Sequence, residues 1–269
     1  MGIKINTNTA LLNAQRQTGI QSRQLDKTQQ KLASGLRINS AADDAAGLAS
    51  ADEFRTQIRQ YTQEVGNLQT GVNVVQTAGQ ALGTQQEGIG RIQELATQAA
   101  NGTLTADQRT ALNQEAQQIL QQMDQTAQNT EFNGQKLLTG TGPIPVRTEG
   151  GEQIAINAST TTALGLNGLD LGTQEGAAAA LDRLSTASNR IDENRASLGA
   201  QENRFGSAIE TRQIAATNLA ESESRIRDLD VAQGVMAENR AQILQHTGLA
   251  AMTQGNMVPQ AAAQLLGIR

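Results

Sequence analysis

Apolar residues recur along most of this chain at alternating steps of three and four positions. The longest series is Phe54, Ile58, Tyr61, Val65, Leu68, Val72 and Val75, continued by Leu82, Ile89 and Ala96. A second series is Leu112, Ala116, Ile119, Met123 and Thr126. A third is Leu184, Ile191, Leu198 and Phe205, followed by Ile209, Ala216, Leu219 and Ile226. This heptad spacing predicts long helices that pack lengthwise against partner helices.

Turn and cap signals divide the series into separate helices. In NGTLTADQ (101–108), Gly102 suits a helix C-terminus, and Thr105 with Gln108 fits a capping box for the next helix. The short link favours an antiparallel pair. Asn133-Gly134 then indicates a tight turn.

Residues 139–176 differ in character, because they contain Pro143 and Pro145 together with many Gly and Thr residues. IPVR and QIAI flank the polar TEGGE and predict one β-hairpin, whereas ASTTTALGL and LDLG are expected to be loop or short strand. A helix is predicted to return at Ala177 and to run nearly to the end. The predicted fold class is mainly α: a long coiled-coil-like helical rod formed by the N- and C-terminal segments, with a small β-hairpin insert.

The stretch SGLRINSAADDAAG (34–47) places two adjacent carboxylates, Asp43 and Asp44, near Arg37. A metal or acid–base pair would need them to converge, but adjacent residues on a helix point about 100° apart. A joint between two helices explains the stretch better. Gly35 would end one helix, Ser40 would be the N-cap of the next, and both aspartates would favour the first turn.

Composition argues against an ordinary globule. The 269 residues include no Trp, one Tyr, three Phe and no Cys, so neither a disulfide nor a thiol site is available. The formal charge is +3 over residues 1–60 and −4 over each of residues 61–150 and 151–269, which suggests that the two ends attract each other. Without a dense basic cluster or stacking aromatics, nucleic acid is not an expected partner.

Candidate chemistry is sparse. His246 is the single histidine, and without a second His for a zinc pair it is expected to be structural or to lie in an interface. The chain carries no phosphate-binding or nucleophile motif, so we expect no enzyme activity, cofactor or metal. The hydroxyl cluster Ser159, Thr160, Thr161 and Thr162 could carry O-linked sugar if it is exposed.

The N-terminus has no secretory signal pattern, and no apolar run is long enough to span a membrane, so membrane insertion is not expected. Taken alone, these patterns predict a cytoplasmic protein.

Six motifs carry a resemblance to a known family. They are GIKINTN, KLASGLRINSAADDAAGLASADEFR (31–55), RIQELATQAANGTLT from Arg91, LGAQENRFGSAI, SESRIRDLDVAQ and RAQILQHTGLAAMTQGNMVPQAAAQLL. In order and spacing they resemble bacterial flagellins over roughly residues 1–140 and 180–269. His246 and Thr247 stand where Gln and Ala are more usual in that family, and the GIR ending also departs from common forms.

The resemblance implies a structural subunit that self-assembles into the extracellular bacterial flagellar filament used for swimming. In that family the chain ends form an inner helical layer, D0, which folds on polymerisation. The next layer, D1, is a helical rod with a β-hairpin. The implied division places residues 1–40 and 231–269 in D0. Residues 41–176, with the hairpin at about 139–176, and residues 177–230 fall in D1. The short insert implies a minimal flagellin.

The implied partners are copies of the chain itself, the flagellar export apparatus, a flagellin chaperone, and the filament cap and hook-junction proteins. Family members are exported unfolded through the flagellar type III channel by an uncleaved signal, which replaces the cytoplasmic expectation. A hook–filament junction protein, which caps rather than propagates, and a coiled-coil surface adhesin are the alternatives.

The resemblance also assigns candidate site residues. The assembly joint would comprise Gly35, Leu36, Arg37, Ile38, Asn39, Ser40, Asp43 and Asp44. Some flagellins are bound by a vertebrate Toll-like receptor at a D1 patch, and the matching positions here are Arg91, Glu94, Leu95 and Glu115. Gln93 replaces the second arginine usual in that patch.

Overall fold

A computed structural model describes residues 8–140, 142–148 and 150–265. The described chain is mainly α, as predicted. Its elements are α1 (Thr9–Ser34), α2 (Ala45–Ala99), α3 (Ala106–Asn129), β1 (Glu131–Phe132), β2 (Gln135–Lys136), β3 (Ile144–Pro145), β4 (Gln153–Ile154), α4 (Thr161–Leu164), α5 (Gln174–Arg227) and α6 (Val231–Leu265). Residues 2–7 of the GIKINTN motif and the GIR ending lie outside the described residues.

The chain forms two compact units. The terminal unit combines Met1–Ile58 with Thr217–Arg269, and the central unit is Arg59–Ala216. Each is described by itself below.

The predicted heptad series form the core of the central unit. On α2, Leu68, Val75, Leu82, Ile89 and Ala96 are buried, and on α5 the seven-spaced Leu184, Ile191, Leu198 and Phe205 are buried. On α3 the buried face comprises Ala116, Leu120, Met123 and Ala127. Two of these, Ala116 and Met123, belong to the predicted series, whereas Ile119 is only half-buried.

The local signals for caps and turns are confirmed. The Thr105 hydroxyl accepts from the Gln108 N–H at 3.3 Å, and the Gln108 side chain accepts from the Thr105 N–H at 2.9 Å, which is the predicted capping box. Asn133 and Gly134, with φ of 50° and 78°, make the turn between β1 and β2. The predicted hairpin is present as β3 paired antiparallel with β4.

Two expectations were wrong. ASTTTALGL contains one helical turn, α4, because the Thr160 hydroxyl caps it by accepting from the Ala163 N–H and Gly165 ends it at φ 79°. The C-terminal helix is interrupted between Arg227 and Val231. There Asp230 starts α6 by accepting from the N–H groups of Ala232 and Gln233.

In the terminal unit, α1 and α6 lie side by side and antiparallel. Asn8 donates to the Gly255 carbonyl, the Thr18 hydroxyl lies 3.5 Å from the Met252 sulfur, and Gln29 donates to Glu238. Small residues repeat every seven positions on the α6 face towards α1: Gly234, Ala241, Gly248 and Gly255.

These small residues allow the two helices to approach closely. A Cβ on Gly234 would stand 2.7 Å from a Leu32 methyl, and one on Gly248 would stand 2.8 Å from the Thr18 hydroxyl. Real Cβ atoms do not approach so closely, so a side chain at either position would have to displace the Leu32 or the Thr18 side chain. Among described residues no ion pair joins α1 to α6.

Candidate functional site

The chain leaves α1 at Gly35, whose φ of 71° suits glycine, and pairs at once with the break that follows α5. Leu36 forms an antiparallel bridge with Asp228. The Arg37 N–H donates to the Arg227 carbonyl at 2.7 Å, and the Leu229 N–H donates to the Gly35 carbonyl at 2.9 Å. The segment between α1 and α2 and the segment between α5 and α6 therefore satisfy each other's backbone hydrogen-bonding groups.

An arginine from each break reaches the backbone of the other. The Arg37 guanidinium donates to the Ile226 carbonyl through Nε at 3.2 Å and Nη2 at 2.5 Å. The Arg227 Nε donates to the Ile38 carbonyl at 3.4 Å, and Nη1 lies 4.0 Å from an Asp52 oxygen. Ile38, held between these contacts, is 3% exposed. We call this reciprocal arrangement the arginine clasp.

Asp43 organises the turn that follows the clasp. One carboxylate oxygen accepts from the N–H groups of Asn39 and Ser40 and from the Ser40 hydroxyl, each at 3.2 Å. Lys31 lies 3.7 Å from the other oxygen. The Asn39 N–H, followed by the Ser40 groups and Lys31, holds the pKa of Asp43 below its ordinary value. The Asn39 side chain donates to the Ser34 hydroxyl, tying the turn to the end of α1.

The structure corrects the predicted helix start. Ser40 does not cap α2, which begins at Ala45. Asp44 is the cap: its side chain accepts from the Gly47 N–H at 2.9 Å and its carbonyl accepts from the Leu48 N–H at 3.0 Å. Asp43 does contact Ser40, but in a turn before the helix, so neither aspartate lies in the first helical turn where both were expected.

Gly47 is the position of α2 that the cap and the clasp both crowd. A Cβ there would clash with the Asp44 carboxylate and would stand 2.9 Å from the Ile38 Cδ1 atom. A side chain at Gly47 would therefore have to displace the Asp44 carboxylate that caps α2 and the buried Ile38 side chain.

Chemically, the joint holds backbone in place and does not bring reactive groups together. Asp43 and Asp44 serve different N–H groups, and the described residues contain no group of three or more His, Asp or Glu that could hold a metal ion. Sequence reasoning found the N-terminal side but missed its partner, Ile226–Leu229. The signal was present in RDLD, where two aspartates close together favour a helix break and a new cap.

The α6 surface opposite α1, which we call the outer face, is exposed and mixes apolar and polar residues. Val235, Ile243, Leu249 and Met257 lie on it and are 42%, 62%, 48% and 63% exposed. At 100° per residue these side chains fall within about 60° of His246, as do Asn239, Gln242 and Thr253, and the small residues towards α1 fall on the opposite side. α6 therefore packs one face against α1 and exposes several large apolar side chains on the other.

The Arg91 patch of the central unit is partly on the surface. Arg91 donates to Glu115 at 2.7 and 3.1 Å and to Glu94 at 2.9 Å, and all three side chains are exposed. The hydrogen bond that Arg91 donates to Glu115, followed by the one it donates to Glu94, raises the pKa of Arg91 above its ordinary value. Leu95, in contrast, is 2% exposed and packs into the core.

The hydroxyl cluster is mostly inaccessible. Ser159 is fully buried and donates to Gln85 at 2.5 Å, and Thr161 is also buried. The Thr160 hydroxyl is engaged in the α4 cap. Thr162 is the exposed member, so the condition for O-linked sugar is met there and not at Ser159 or Thr161.

Comparisons with known proteins match both halves of the chain. A family model described as the bacterial flagellin N-terminal helical region matches residues 5–142, and one described as the bacterial flagellin C-terminal helical region matches residues 181–266. The chain belongs to the bacterial flagellin family. As a flagellin, it is a structural subunit of the flagellar filament.

Relatives resemble this flagellin over its whole length. It is 38% identical to a flagellin of Halalkalibacterium halodurans over 97% of this chain and 99% of the relative. It is 36% identical to the flagellar filament 33 kDa core protein of Treponema phagedenis, with the same coverage. These are filament proteins, and no finding favours the hook–filament junction or adhesin alternative.

A solved structure, a putative flagellar hook-associated protein from Vibrio parahaemolyticus, matches with a TM-score of 0.60. It covers 69% of this chain and 100% of that one at 12% identity, so it shows a shared fold alone. No described helix of this flagellin is long and apolar enough to cross a membrane.

Proposed function

We propose that this flagellin polymerises by burying the outer face of α6 against a second copy of the chain. α1 covers one face of α6, and large apolar side chains remain exposed among polar ones on the other. Ile243 and Met257 on that outer face are each more than 60% exposed. Full burial of such a side chain is worth about 1.5–3 kcal/mol. The exposed outer face in a filament subunit is the observation that carries the proposal.

The joint acts in this proposal as the part that sets the position of α1 relative to α6. The arginine clasp and the backbone bridge hold residues 35–38 against residues 226–229, next to the point where both terminal helices begin or end. Gly35 to Asn39, Ser40, Asp43 and Asp44 are therefore proposed as assembly residues that work through backbone geometry and not through catalysis.

The proposal extends to organisation and partners. The D0 layer would comprise residues 1–40 and 231–269, and D1 the remainder. The chain would be exported by the flagellar apparatus with a chaperone and would meet the filament cap and hook-junction proteins. Family membership supports these assignments. It also supports an extracellular location and a structural, non-enzymatic role as parts of the proposal.

Recognition by a Toll-like receptor is a second candidate function, confined to the surface of α2 and α3. The exposed Arg91, Glu94 and Glu115 cluster favours it. Buried Leu95 would support the patch from beneath and would not be part of the contact.

The polymerisation proposal is tested by Ile243→Asn. Ile243 is exposed in the single chain, so its loss leaves the monomer's helix content unchanged while removing apolar contact from the outer face. We expect the critical concentration for polymerisation to rise about tenfold, which corresponds to roughly 1.4 kcal/mol. Sedimentation and electron microscopy of seeded polymerisation measure it.

The matched control is Gln233→Asn, at an exposed position of α6 about 140° from His246 and therefore off the outer face. This variant should polymerise like the parent. If Ile243→Asn also does, the outer face is not the polymerisation surface.

A further inference from the structure

The side of α1 that points away from α6 carries cations and no carboxylate. A Cβ on Gly248 of α6 would stand 2.8 Å from the Thr18 hydroxyl, so Thr18 marks the side of α1 towards α6. At 100° per residue, Arg16, Arg23 and Lys27 lie about 140–180° from Thr18 around the helix. We call these three residues the basic stripe, and it covers about 16 Å of helix length.

The basic stripe has no partner within the part of the chain that the structure describes. Its three side chains are exposed, and none forms a hydrogen bond or ion pair with a described residue. Asp26, the one carboxylate of α1, lies to the side at about 80° from Thr18 and forms no ion pair with the stripe. Lys31, in contrast, is paired with Asp43 at 3.7 Å. The charge of the stripe therefore remains available to another molecule.

Negative charge is in excess in the central unit. Residues 59–216 contain ten Lys and Arg against sixteen Asp and Glu, a formal charge of −6, and the whole chain has a formal charge of −5. Exposed carboxylates of this unit that form no ion pair with a described residue include Glu87, Asp107, Asp182, Asp192 and Glu210. Copies of the same negative charge repel one another, so a contact between copies is favoured where a positive surface of one meets a negative surface of the next.

We propose that the basic stripe of α1 binds the acidic central unit of a neighbouring copy during polymerisation. The occupant follows from charge and from the family: the stripe is cationic, the central unit has surplus carboxylates, and a filament subunit has other copies as its neighbours. An anionic lipid surface fits less well, because basic segments that bind such surfaces usually carry about four to eight cations. The contact lies on α1 and does not depend on burial of the outer face of α6.

The size and the salt dependence of the effect follow from exposure. One pair of exposed opposite charges changes an equilibrium constant by about 1.4- to fivefold. We therefore expect the three cations together to lower the critical concentration by about tenfold in low salt. Salt screens such contacts, since the Debye length falls from about 30 Å at 0.01 M to about 3 Å at 1 M. A loss of packing would not show this dependence on salt.

The experiment measures the critical concentration of seeded polymerisation for the full-length chain in about 0.02 M and about 0.5 M sodium chloride. The stripe variant combines Arg16→Gln, Arg23→Gln and Lys27→Gln. We expect its critical concentration to be about tenfold above that of the parent in low salt, with the ratio falling at least threefold in high salt. Far-UV circular dichroism of each monomer checks that the helix content is unchanged.

The matched control removes three cations from other exposed positions. It combines Arg195→Gln, Arg204→Gln and Arg240→Gln, none of which forms a hydrogen bond or ion pair with a described residue. Both variants have the same overall charge, so a general increase in repulsion affects them equally. The control should raise the critical concentration less than threefold.

A second comparison keeps the charge of the stripe. Arg16→Lys combined with Arg23→Lys and Lys27→Arg changes the three side chains without changing their charges. This chain should polymerise like the parent in both salt conditions, because the contact depends on charge.

The inference is overturned if the stripe variant polymerises as readily as the control in low salt, or if its defect is the same in high salt. It is also overturned if vesicles of phosphatidylglycerol sediment the parent but not the stripe variant while the two polymerise equally, because the partner would then be a lipid surface. The result for Ile243→Asn is separate. Normal polymerisation of that variant, together with a salt-sensitive defect of the stripe variant, would reject the outer face and retain the stripe.

Discussion

Asp43 and Asp44 are adjacent residues with separate tasks. Asp43 accepts hydrogen bonds from the N–H groups of a turn that begins at Asn39, and Asp44 is the N-cap of α2. Each satisfies donors that helix ends and turns leave open, so neither is free for other chemistry. Two adjacent aspartates suggest a carboxylate pair in the sequence, but here one stabilises the turn before α2 and the other caps α2 itself.

The Asp43 contacts predict a pH dependence. The pKa of Asp43 is lower in the folded chain than its ordinary value of 3.8. The ionised carboxylate therefore stabilises the joint when the pH is above 3.8, and this stabilisation is lost as the pH falls through the lower pKa of the folded chain. We expect Asp43→Asn to unfold at a lower temperature than the parent near neutral pH, with the difference shrinking below about pH 4.

Thermal unfolding followed by circular dichroism across this range is the measurement. Glu53→Gln, which neutralises an exposed carboxylate of the same unit, is the control and should show a difference that changes less with pH. Equal behaviour of the two variants would contradict a special role for Asp43.

Buried polar residues are what sequence reasoning could not find. Gln85, 1% exposed, donates to the carbonyls of Met123 and Ser159, which ties the insert to α2 and α3. Glu64 is buried against Arg212, which also lies 3.6 Å from Glu152. Polar residues on a helix are normally assigned to its solvent side, and only their distant partners make these burials favourable.

At the scale of elements, the glycines of α2 fall into two kinds. A Cβ at Gly71 would stand 3.3 Å from Phe205, and one at Gly88 would stand 3.2 Å from Met123. A Cβ at Gly79 or Gly83 would meet nothing within 4 Å. The first pair serves packing inside the chain and the second does not.

This contrast gives a stability prediction. Gly79→Ala combined with Gly83→Ala should stabilise the central unit by about 1–2 kcal/mol, because alanine loses less backbone freedom in a helix and has open space at both positions. Chemical denaturation followed by circular dichroism measures it.

Gly88→Ala is the matched control, since its gain in helix propensity is opposed by contact with the Met123 side chain. It should stabilise the unit less than either open-space substitution does alone. A larger gain at Gly88 would show that the packing distances do not decide the effect.

Elements were predictable from sequence where the signal was local. The capping box at Thr105, the Asn133-Gly134 turn and the buried heptad positions of α2 and α5 each follow from residues a few positions apart. The interruption after Arg227 was missed: RDLD carries a local signal for a cap, but the residue that pairs with the interruption, Leu36, lies far away in sequence. The small residues that repeat every seven on α6 were visible but lack the large side chains by which a seam is usually recognised.

At the scale of the whole molecule, family membership identifies the chain as a filament subunit, and the terminal helices α1 and α6 offer a surface through which copies could assemble. The paired segments between helices, residues 35–38 and 226–229, and close packing at glycines hold α1 and α6 together. The surface that remains open on α6 exposes several large apolar side chains, which is unfavourable for a protein that stays monomeric.

Removal of about the first 30 residues tests this division of tasks. The shortened chain loses most of α1, the partner of α6, while the core of the central unit is untouched. We expect a soluble, largely helical protein that does not form filaments when incubated with filament seeds. Electron microscopy decides the result, and filaments of normal width would contradict the role of the terminal helix pair.

The antiparallel pairing of α1 with α6 also has a consequence in time. Thr18 and Met252, which touch in this pair, are 234 positions apart. At a synthesis rate of roughly 5–20 residues per second, α1 exists for about 10–50 s before its partner has been made. Any cellular protein that binds α1 during that delay competes with α6 for the same surface. α6 can reach that surface only after its own synthesis.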